Sequence, residues 1–422
     1  MLRRRLRAAG ALVAVCLGAF APVAGPVGAA GAAGAADVRQ AQRWVLEKLN
    51  IEQAWRVTRG AGTTVALIDS GVDAQVAELR GRVTLGPAMG PAGLGEGGPE
   101  AGWHGTAMAS LIAGAGKGES GLLGIAPEAR ILSLPLVLRQ SPEESPPPGE
   151  DLRTRDDSPL ARAIRYAAEH GAKVISMSLG AYGPHRAERE AVSYALSRGV
   201  VLVAAVGNDG GSAYTAGNST SFWNFPAGYS GVIGVGAVGA DGRPAEFSSD
   251  NLSVLVSAPG VDVPVVIPGG EYGSADGTSS AAALVAGVAA LIKTKYPDIS
   301  PYMVSQALTS TTTSAPTAGY DDHVGFGVVD AGAALVRAGE LVRGAAEVPD
   351  AGSRHFGQGV PLREPARPGP DSLRLWLFGT GAGAGLLAFC WAVVALTRRA
   401  ERPGRSARFP EELAGRFPPG GG

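Results

Sequence analysis

The chain has 422 residues, enough for one large α/β domain with appendages or for two to three smaller domains. Hydrophobic residues make up 45% and supply a sizeable core, whereas a net charge of −1 argues against a strongly basic nucleic-acid-binding protein. Its two cysteines, Cys16 and Cys390, lie in apolar runs near the ends. The region between these two positions contains no cysteine, so it can hold neither an internal disulfide nor a cysteine-based metal site.

Residues 1–36 are typical of a secretory signal peptide. Four arginines among the first seven residues form a basic segment, and the apolar run 8–21 is too short to span a bilayer. Ala-x-Ala cleavage motifs follow between residues 30 and 36. Two alternatives stay open: an uncleaved N-terminal anchor, and a lipoprotein modified at Cys16, for which the preceding Val15 is a poor fit.

The central region, residues 37–345, alternates short β-branched runs with alanine-rich stretches. In chain order, the predicted elements are a strand at 63–68, a helix at 104–113, a strand at 129–136, a helix at 160–170, a strand at 174–179, a helix at 187–197, strands at 200–206, 232–238 and 254–257, and a helix at 280–295. This alternation predicts an α/β domain in which helices flank both faces of a mostly parallel sheet.

The C-terminal part of the chain has the pattern of a membrane anchor. Residues 346–373 are rich in Pro, Gly and Arg and indicate a linker, and residues 139–154 indicate a surface loop within the domain. Leu375 to Thr397 is uncharged over 23 residues, enough at about 1.5 Å per residue to cross a core of roughly 30 Å. We therefore assign residues 374–397 to a transmembrane helix, with a buried helix as the alternative.

Charge sets the expected orientation of this anchor. Residues 398–422 form a tail of net charge +3, and basic flanks favour the cytoplasmic side of a membrane. The signal peptide sends the central domain to the other side. The sequence thus predicts a single-pass protein of the cell membrane, with an extracellular domain and a cytoplasmic C-terminus.

Three short motifs bring chemistry to the ends of predicted elements. Asp69 follows the first strand, His104 begins a helix in His-Gly-Thr, and Ser279 begins an apolar helix after Gly-Thr. Taken singly, each residue is more often a turn residue, a helix cap or a structural residue than a catalytic one. Together they supply nucleophilic hydrolysis, in which the imidazole takes the proton of the hydroxyl and the carboxylate stabilises the imidazolium.

These motifs resemble the active-site signatures of subtilisin-like serine proteases, which have the chain order Asp, His, Ser. Further segments resemble that family in the same order, over about residues 45–340: Gly124–Pro127, Ser176–Gly180, Val203–Asn208 and Gly325–Ala331.

The resemblance implies a role for each site residue. Asp69, His104 and Ser279 would form the catalytic triad, with the neighbouring Ser280 as a rival nucleophile. The side-chain amide of Asn208 and the backbone N–H of Ser279 would stabilise the oxyanion, and the alternative for Asn208 is a turn residue. The substrate backbone would bind along three residues that also line the first specificity pocket: Ser178, Leu179 and Gly180.

Three departures from the family pattern stand out. Ala107 occupies the position where many members have a second histidine, which is not part of the triad. The loop 115–121 lacks the asparagine-rich run that binds calcium in secreted bacterial members, so we expect no calcium there, and no other metal or cofactor. Ala227 stands where a glycine often lines the specificity pocket.

The order of segments resembles the mycosins, membrane-anchored proteases associated with type VII secretion in actinobacteria. Residues 42–55 look like the mycosin N-terminal extension, which packs along the catalytic domain. About 33 residues separate Ala36 from Asp69, too few for a stable inhibitory pro-domain, which needs at least about 40. Mycosins commonly carry disulfides, which this ectodomain lacks the cysteines to form.

The sequence therefore predicts a membrane-anchored extracytoplasmic serine endopeptidase. Its expected partners are protein or peptide substrates, the membrane and a type VII secretion complex, without nucleic acid. A second hypothesis is a structural partner that stabilises the secretion complex, with proteolysis secondary. A third is an inactive pseudo-enzyme.

Overall fold

The computed structural model describes residues 27–28, 35–90, 102–136, 158–347 and 372–400. Most of the expected signal peptide, linker and cytoplasmic tail, and the whole of the loop 139–154, lie outside these residues. The chain divides into two compact units at residue 348.

Fourteen strands occur among the described residues, in chain order: β1 (Val27–Gly28), β2 (Thr64–Asp69), β3 (Val83–Leu85), β4 (Ala115–Lys117), β5 (Ser120–Leu123), β6 (Arg130–Pro135), β7 (Val174–Met177), β8 (Ala181–Tyr182), β9 (Val201–Ala205), β10 (Asn224–Phe225), β11 (Val232–Val238), β12 (Val256–Pro259), β13 (Val263–Val266) and β14 (Tyr272–Ala275). Seven of them form one sheet in the spatial order β12-β11-β9-β7-β2-β6-β3, and all its neighbouring strands are parallel.

Eleven α-helices occur in the same described residues: α1 (Ala35–Ala41), α2 (Arg43–Lys48), α3 (Ile51–Trp55), α4 (Trp103–Ala113), α5 (Pro159–Glu169), α6 (Arg186–Ser197), α7 (Ala213–Asn218), α8 (Thr278–Lys295), α9 (Pro301–Thr309), α10 (Ala331–Glu347) and α11 (Ser372–Ala400). Local sequence explains several of their starts. In α5, the Ser158 hydroxyl accepts a hydrogen bond from Ala161 N and Pro159 occupies the first turn.

Two hydrophobic cores cover the two faces of the seven-stranded sheet. Val65 and Leu67 of β2 pack on one face in the same core as α4 and α8. Ala66 and Ile68 point to the other face and pack with α5 and α6. Because β2 is buried on both faces, its sequence is a continuous apolar run, as parallel strands require. The predicted architecture, a mostly parallel sheet between helices, is confirmed.

The predicted elements agree with the observed ones to within about two residues at most ends. The strand expected at 254–257 begins at Val256 because a turn, in which Val254 N donates to Asn251 O, precedes it. The sequence did not indicate the hairpins β4–β5 and β13–β14, which are short and lack a clear alternation.

The N-terminal extension packs on the domain. Leu49, Ile51 and Ala54 are fully buried in the first core. The Gln42 side chain exchanges two hydrogen bonds with the backbone of Leu123, at 2.8 and 3.1 Å. The segment 42–54 therefore lies along the central domain through direct contacts.

The described residues of the second unit form the helix α11. Residues Leu373–Arg398 are long and apolar enough to cross a membrane, and the described side chains of this stretch are almost all exposed. An exposed apolar surface of this size is unstable in water and indicates burial in lipid or against protein.

Candidate active site

The carboxylate of Asp69 and the imidazole of His104 meet at the carboxyl end of β2. Asp69 is the last residue of that strand, and His104 is the second residue of α4. The His104 Nδ1 atom lies 2.7 Å from Asp69 Oδ1 and 2.9 Å from Oδ2. The Asp69 side chain is only 4% exposed, and its Oδ1 also accepts a hydrogen bond from Ser70 N at 2.7 Å. The carboxylate can therefore hold one tautomer of the ring, with the proton on Nδ1.

Close backbone packing sets the distance between these two residues. A Cβ atom on Gly105 would lie 2.0 Å from the carbonyl oxygen of Gly71, so only glycine fits there. Gly105 N instead donates to the Ser70 hydroxyl at 3.0 Å, and Asp73 N donates to the Thr106 hydroxyl at 2.8 Å. These contacts attach the first turn of α4 to the loop after β2.

Two opposing effects act on the pKa of His104. Burial, the larger single effect, lowers the pKa by disfavouring the charged ring. The negative charge of Asp69 and its hydrogen bond together outweigh burial, so the pKa lies above its usual value of 6.5.

This direction predicts the pH dependence of peptide hydrolysis. A general base must be neutral, and a raised pKa keeps His104 protonated to higher pH. We expect kcat/KM to fall about tenfold per pH unit on the acid side, with a midpoint above pH 6.5. Measuring kcat/KM from pH 5 to 10 would give the pH of this midpoint. In Asp69→Asn, which retains burial but loses the charge, the midpoint should move to lower pH. An acid midpoint unchanged in that variant would contradict the assignment to His104.

Ser279 lies at the start of α8, where the positive end of the helix dipole favours negative charge. The residue is 2% exposed, and its carbonyl oxygen accepts a hydrogen bond from the Ser178 hydroxyl at 3.2 Å. Gly277, two residues before Ser279, has φ = +151°, in the region that favours glycine. The helices α4 and α8, which carry His104 and Ser279 in their first turns, pack against each other.

The Asn208 side chain is fixed by the first residue of α8. Its Oδ1 accepts hydrogen bonds from Thr278 N at 3.0 Å and from the Thr278 hydroxyl at 2.9 Å. Because the Asn208 Oδ1 atom is hydrogen-bonded to Thr278, the Nδ2 group remains to donate a hydrogen bond to a substrate. The Nδ2 atom lies 3.3 Å from the position that a Cβ on Gly277 would take, so a side chain at residue 277 would crowd this group.

We predict that Asn208→Ala lowers kcat for peptide hydrolysis by about 10²–10³-fold with little change in KM, since an oxyanion donor acts mainly in the transition state. Steady-state kinetics on a peptide substrate would measure the two constants. Asn218→Ala is the matched control, because the exposed Asn218 amide donates to the Tyr214 carbonyl within α7 and has no other hydrogen bond among the described residues. A large rise in KM with kcat preserved would contradict the assigned role.

The predicted substrate-binding segment, Ser178 to Gly180, follows β7 directly. A Cβ on Gly180 would lie 3.3 Å from the Cβ and Oδ1 atoms of Asn224. The Asn224 Nδ2 donates to Val206 O at 3.1 Å and to Asp209 Oδ2 at 3.0 Å. The sequence did not single out Asn224 or Asp209 as neighbours of this segment, although Asp209 directly follows Asn208.

The loop expected to lack calcium forms the hairpin of β4 and β5. Its Lys117 Nζ lies 3.6 Å from Oε1 of Glu78, a carboxylate with no exposed surface. The chain thus supplies its own cation at this carboxylate. The absence of calcium there stays a prediction.

A model of the Subtilase family matches residues 60–327, a stretch that includes Asp69, His104, Asn208 and Ser279. The chain is 35% identical over 390 residues to mycosin-4 of Mycobacterium tuberculosis, covering 85% of this chain and 82% of that protein. It is also 35% identical over 319 residues to fervidolysin of Fervidobacterium pennivorans, covering 69% of this chain but only 43% of fervidolysin.

Solved structures agree with these relatives. The chain resembles a serine protease, MycP1, described as an essential component of the type VII (ESX-1) secretion system, with a TM-score of 0.57 and 34% identity. The match covers 69% of this chain and 88% of that one. The family model, the relatives and the solved structures agree on the subtilisin-like fold and on the reaction class, serine-type peptide hydrolysis.

Proposed function

The chain belongs to the Subtilase family of serine endopeptidases, and from this premise we propose that Asp69, His104 and Ser279 are its catalytic triad, with Asn208 as oxyanion donor. The observation that carries the proposal is the pair of contacts from His104 Nδ1 to both Asp69 oxygens, at 2.7 and 2.9 Å. This pairing leaves Nε2 of the ring as the proton acceptor.

In the first half of the proposed reaction, the Ser279 hydroxyl attacks the scissile carbonyl while His104 Nε2 takes its proton. The imidazolium is stabilised by Asp69. Negative charge that develops on the carbonyl oxygen is met by the Asn208 amide and the backbone N–H of Ser279. Collapse of the tetrahedral intermediate transfers the proton from His104 to the leaving amine and leaves an acyl-enzyme.

In the second half, His104 takes a proton from water, and the resulting hydroxide attacks the ester on Ser279. The same oxyanion donors stabilise the second intermediate, and the proton returns to Ser279 as the acid product leaves. We assign the substrate class as extended polypeptide, because the Ser178 hydroxyl donates to the Ser279 carbonyl oxygen, and the segment from Ser178 to Gly180 that begins there could offer backbone groups to a strand-like substrate.

We further propose that α11 anchors the protein in the cell membrane as a single pass. Its 29 residues span about 43 Å at 1.5 Å per residue, which exceeds a hydrocarbon core of roughly 30 Å. In this arrangement residues 1–36 are removed as a signal peptide, and residues 37–345 form the extracellular catalytic domain. Residues 346–373 are the linker, 374–397 cross the membrane, and 398–422 face the cytoplasm.

The similarity to mycosin-4, and to a protease described as an essential component of a type VII secretion system, supports association with such a system. The alternative is a mainly structural contribution to the secretion complex. The N-terminal extension, which packs on the catalytic domain, favours a rigid ectodomain that is compatible with either role.

One experiment separates these proposals. The gene for this protein is deleted in a strain that has a type VII secretion system. The deletion strain is then complemented with the wild-type chain, with Ser279→Ala or with residues 1–348. We expect the full-length chain to resist alkaline extraction from membranes and the truncated chain to be released. If proteolysis is the main role, Ser279→Ala should fail to restore processing of a secreted substrate. Secretion and processing restored equally by Ser279→Ala would refute the proteolytic role, and membrane retention of residues 1–348 would refute the anchor.

A further inference from the structure

A cluster of metal-ligand side chains lies in the loop before Gly325, in a region that the catalytic proposal does not use. Among the residues that the structure describes, Asp321, Asp322 and His323 bring one carboxylate or imidazole atom each to within 4.8 Å of one another. Carboxylate oxygen and imidazole nitrogen together are the donor set of Zn²⁺, Co²⁺ and related divalent ions.

A fourth side chain, from a distant part of the sequence, is directed at this imidazole. The Asp250 side chain is 8% exposed, and its Oδ2 lies 3.8 Å from His323 Nδ1. Its Oδ1 accepts a hydrogen bond from the Ser221 hydroxyl, whereas no described residue donates a hydrogen bond to Oδ2. On the opposite side of the ring, Nε2 lies 3.9 Å from Asp322 Oδ1.

The separation of 3.8 Å between His323 Nδ1 and Asp250 Oδ2 is longer than a hydrogen bond, and shortening it would give the outer-shell arrangement of metal-binding histidines. Such a histidine usually donates its second ring N–H to a carboxylate, which fixes its tautomer and orientation. Asp250 is positioned to take that role toward Nδ1, and Nε2 then faces the Asp322 carboxylate as the ligand atom.

The charged side chains near the loop carry an excess of negative charge, which also favours a bound cation. Asp250, Asp321 and Asp322 bring three negative charges, and within the described part of the chain none of them forms a salt bridge with Lys or Arg. His323 is the only partner within salt-bridge distance of Asp250 and Asp322 among those residues. A divalent cation would compensate this charge.

The backbone that presents the ligands is held in place. Asp321 and Gly325 exchange two backbone hydrogen bonds, at 3.0 and 2.7 Å, which close the loop. A Cβ on Gly325 would lie 2.2 Å from Leu255 O, and the Tyr320 hydroxyl donates to Val254 O at 3.0 Å. Donors in a tetrahedral shell lie about 3.3 Å apart. The ligand atoms lie up to 4.8 Å apart in the structure, so they would have to move closer together when an ion binds.

We propose that Asp321, Asp322 and His323 Nε2 bind a divalent transition-metal ion, with water completing the shell and Asp250 orienting the imidazole. The bound ion would connect the loop 321–325 to the segment at Asp250 and raise the thermal stability of the domain. The site is separate from the catalytic proposal, and neither depends on the other.

The test uses the untagged full-length protein in detergent, freed of metal by a chelator and titrated with Co²⁺ and with Zn²⁺. Visible absorption of Co²⁺ reports inner-shell ligation, and calorimetry gives the Kd for Zn²⁺. We expect His323→Gln to weaken binding more than 100-fold, and Asp250→Asn, which keeps an acceptor for Ser221, to weaken it about 10–100-fold. Zn²⁺ should raise the Tm of the wild type and not that of His323→Gln.

The control is His170→Gln, which removes an exposed imidazole that is stacked on Tyr166 and hydrogen-bonded to a backbone carbonyl. It should leave the Kd unchanged. Peptide hydrolysis is followed in parallel, because an ion that binds His104 would inhibit it in every variant. The proposal is overturned if His323→Gln binds Zn²⁺ within twofold of the wild type, or if the only ion bound is the one that inhibits hydrolysis.

Discussion

Replacing Ser279 with alanine is expected to lower kcat for peptide hydrolysis about 10⁶-fold, leaving only the residual rate from oxyanion stabilisation and substrate binding. Alanine removes the proposed nucleophile while keeping the helical conformation at the start of α8. The loss should therefore lie in kcat, with KM and Tm almost unchanged. Steady-state kinetics, together with labelling by a fluorophosphonate probe, would measure the effect.

The matched control for this variant is the adjacent serine. Ser280 is 1% exposed, and its hydroxyl has no hydrogen-bond partner. Removing an unsatisfied buried hydroxyl relieves a desolvation penalty of about 1–3 kcal/mol, so Ser280→Ala should keep its activity and have an equal or higher Tm. If Ser279→Ala were still fully labelled by the probe, or if Ser280→Ala lost its labelling, the nucleophile would be Ser280 and not Ser279.

The second large effect is expected at Asp69. Asp69→Asn should lower kcat near pH 7 about 10⁴-fold, because an asparagine amide can donate to His104 Nδ1 and stabilise the tautomer with the proton on Nε2. That tautomer cannot accept the proton of Ser279. The imidazolium also loses its neighbouring negative charge, which acts at 2.7 Å in the present structure. Measurements of kcat would show a large loss with a modest change in KM.

Asp73→Asn is the control for the charge change. Asp73 lies on the loop after β2 and accepts hydrogen bonds from Gln75 N and Gly269 N, without contact to His104. Its conversion should alter kcat by less than about threefold, the size expected of a surface substitution. An Asp69→Asn enzyme with activity within tenfold of the wild type would show that the imidazole is oriented by another group.

The candidate site could be predicted from the sequence because each of its chemical groups stands in a short pattern. Asp69 ends an apolar run, and His104 and Ser279 each follow a glycine-containing helix start. The amide of Asn208 was identified by resemblance, but its orientation depends on Thr278, which lies 70 residues away. The hydrogen bond from Asn224 to Asp209 and the contact of Asp250 with His323 join residues that are distant in the chain, so no local sequence pattern predicts them.

By itself, the sequence determined the class of the protein. Periodicity and turn residues indicated the strands and helices of a parallel α/β domain, the motifs indicated the chemistry, and the uncharged run at 375–397 indicated an anchor. Such features depend on neighbours a few residues apart, which a linear pattern records.

Only the tertiary structure decided how these parts meet. The strand order β12-β11-β9-β7-β2-β6-β3 brings the ends of distant strands to one edge. The contact of Gly105 with Gly71 sets the position of His104 beside Asp69. Such distances result from packing between segments that are 34 to more than 70 residues apart, where the complementarity of backbone surfaces, and not the local sequence, selects the arrangement.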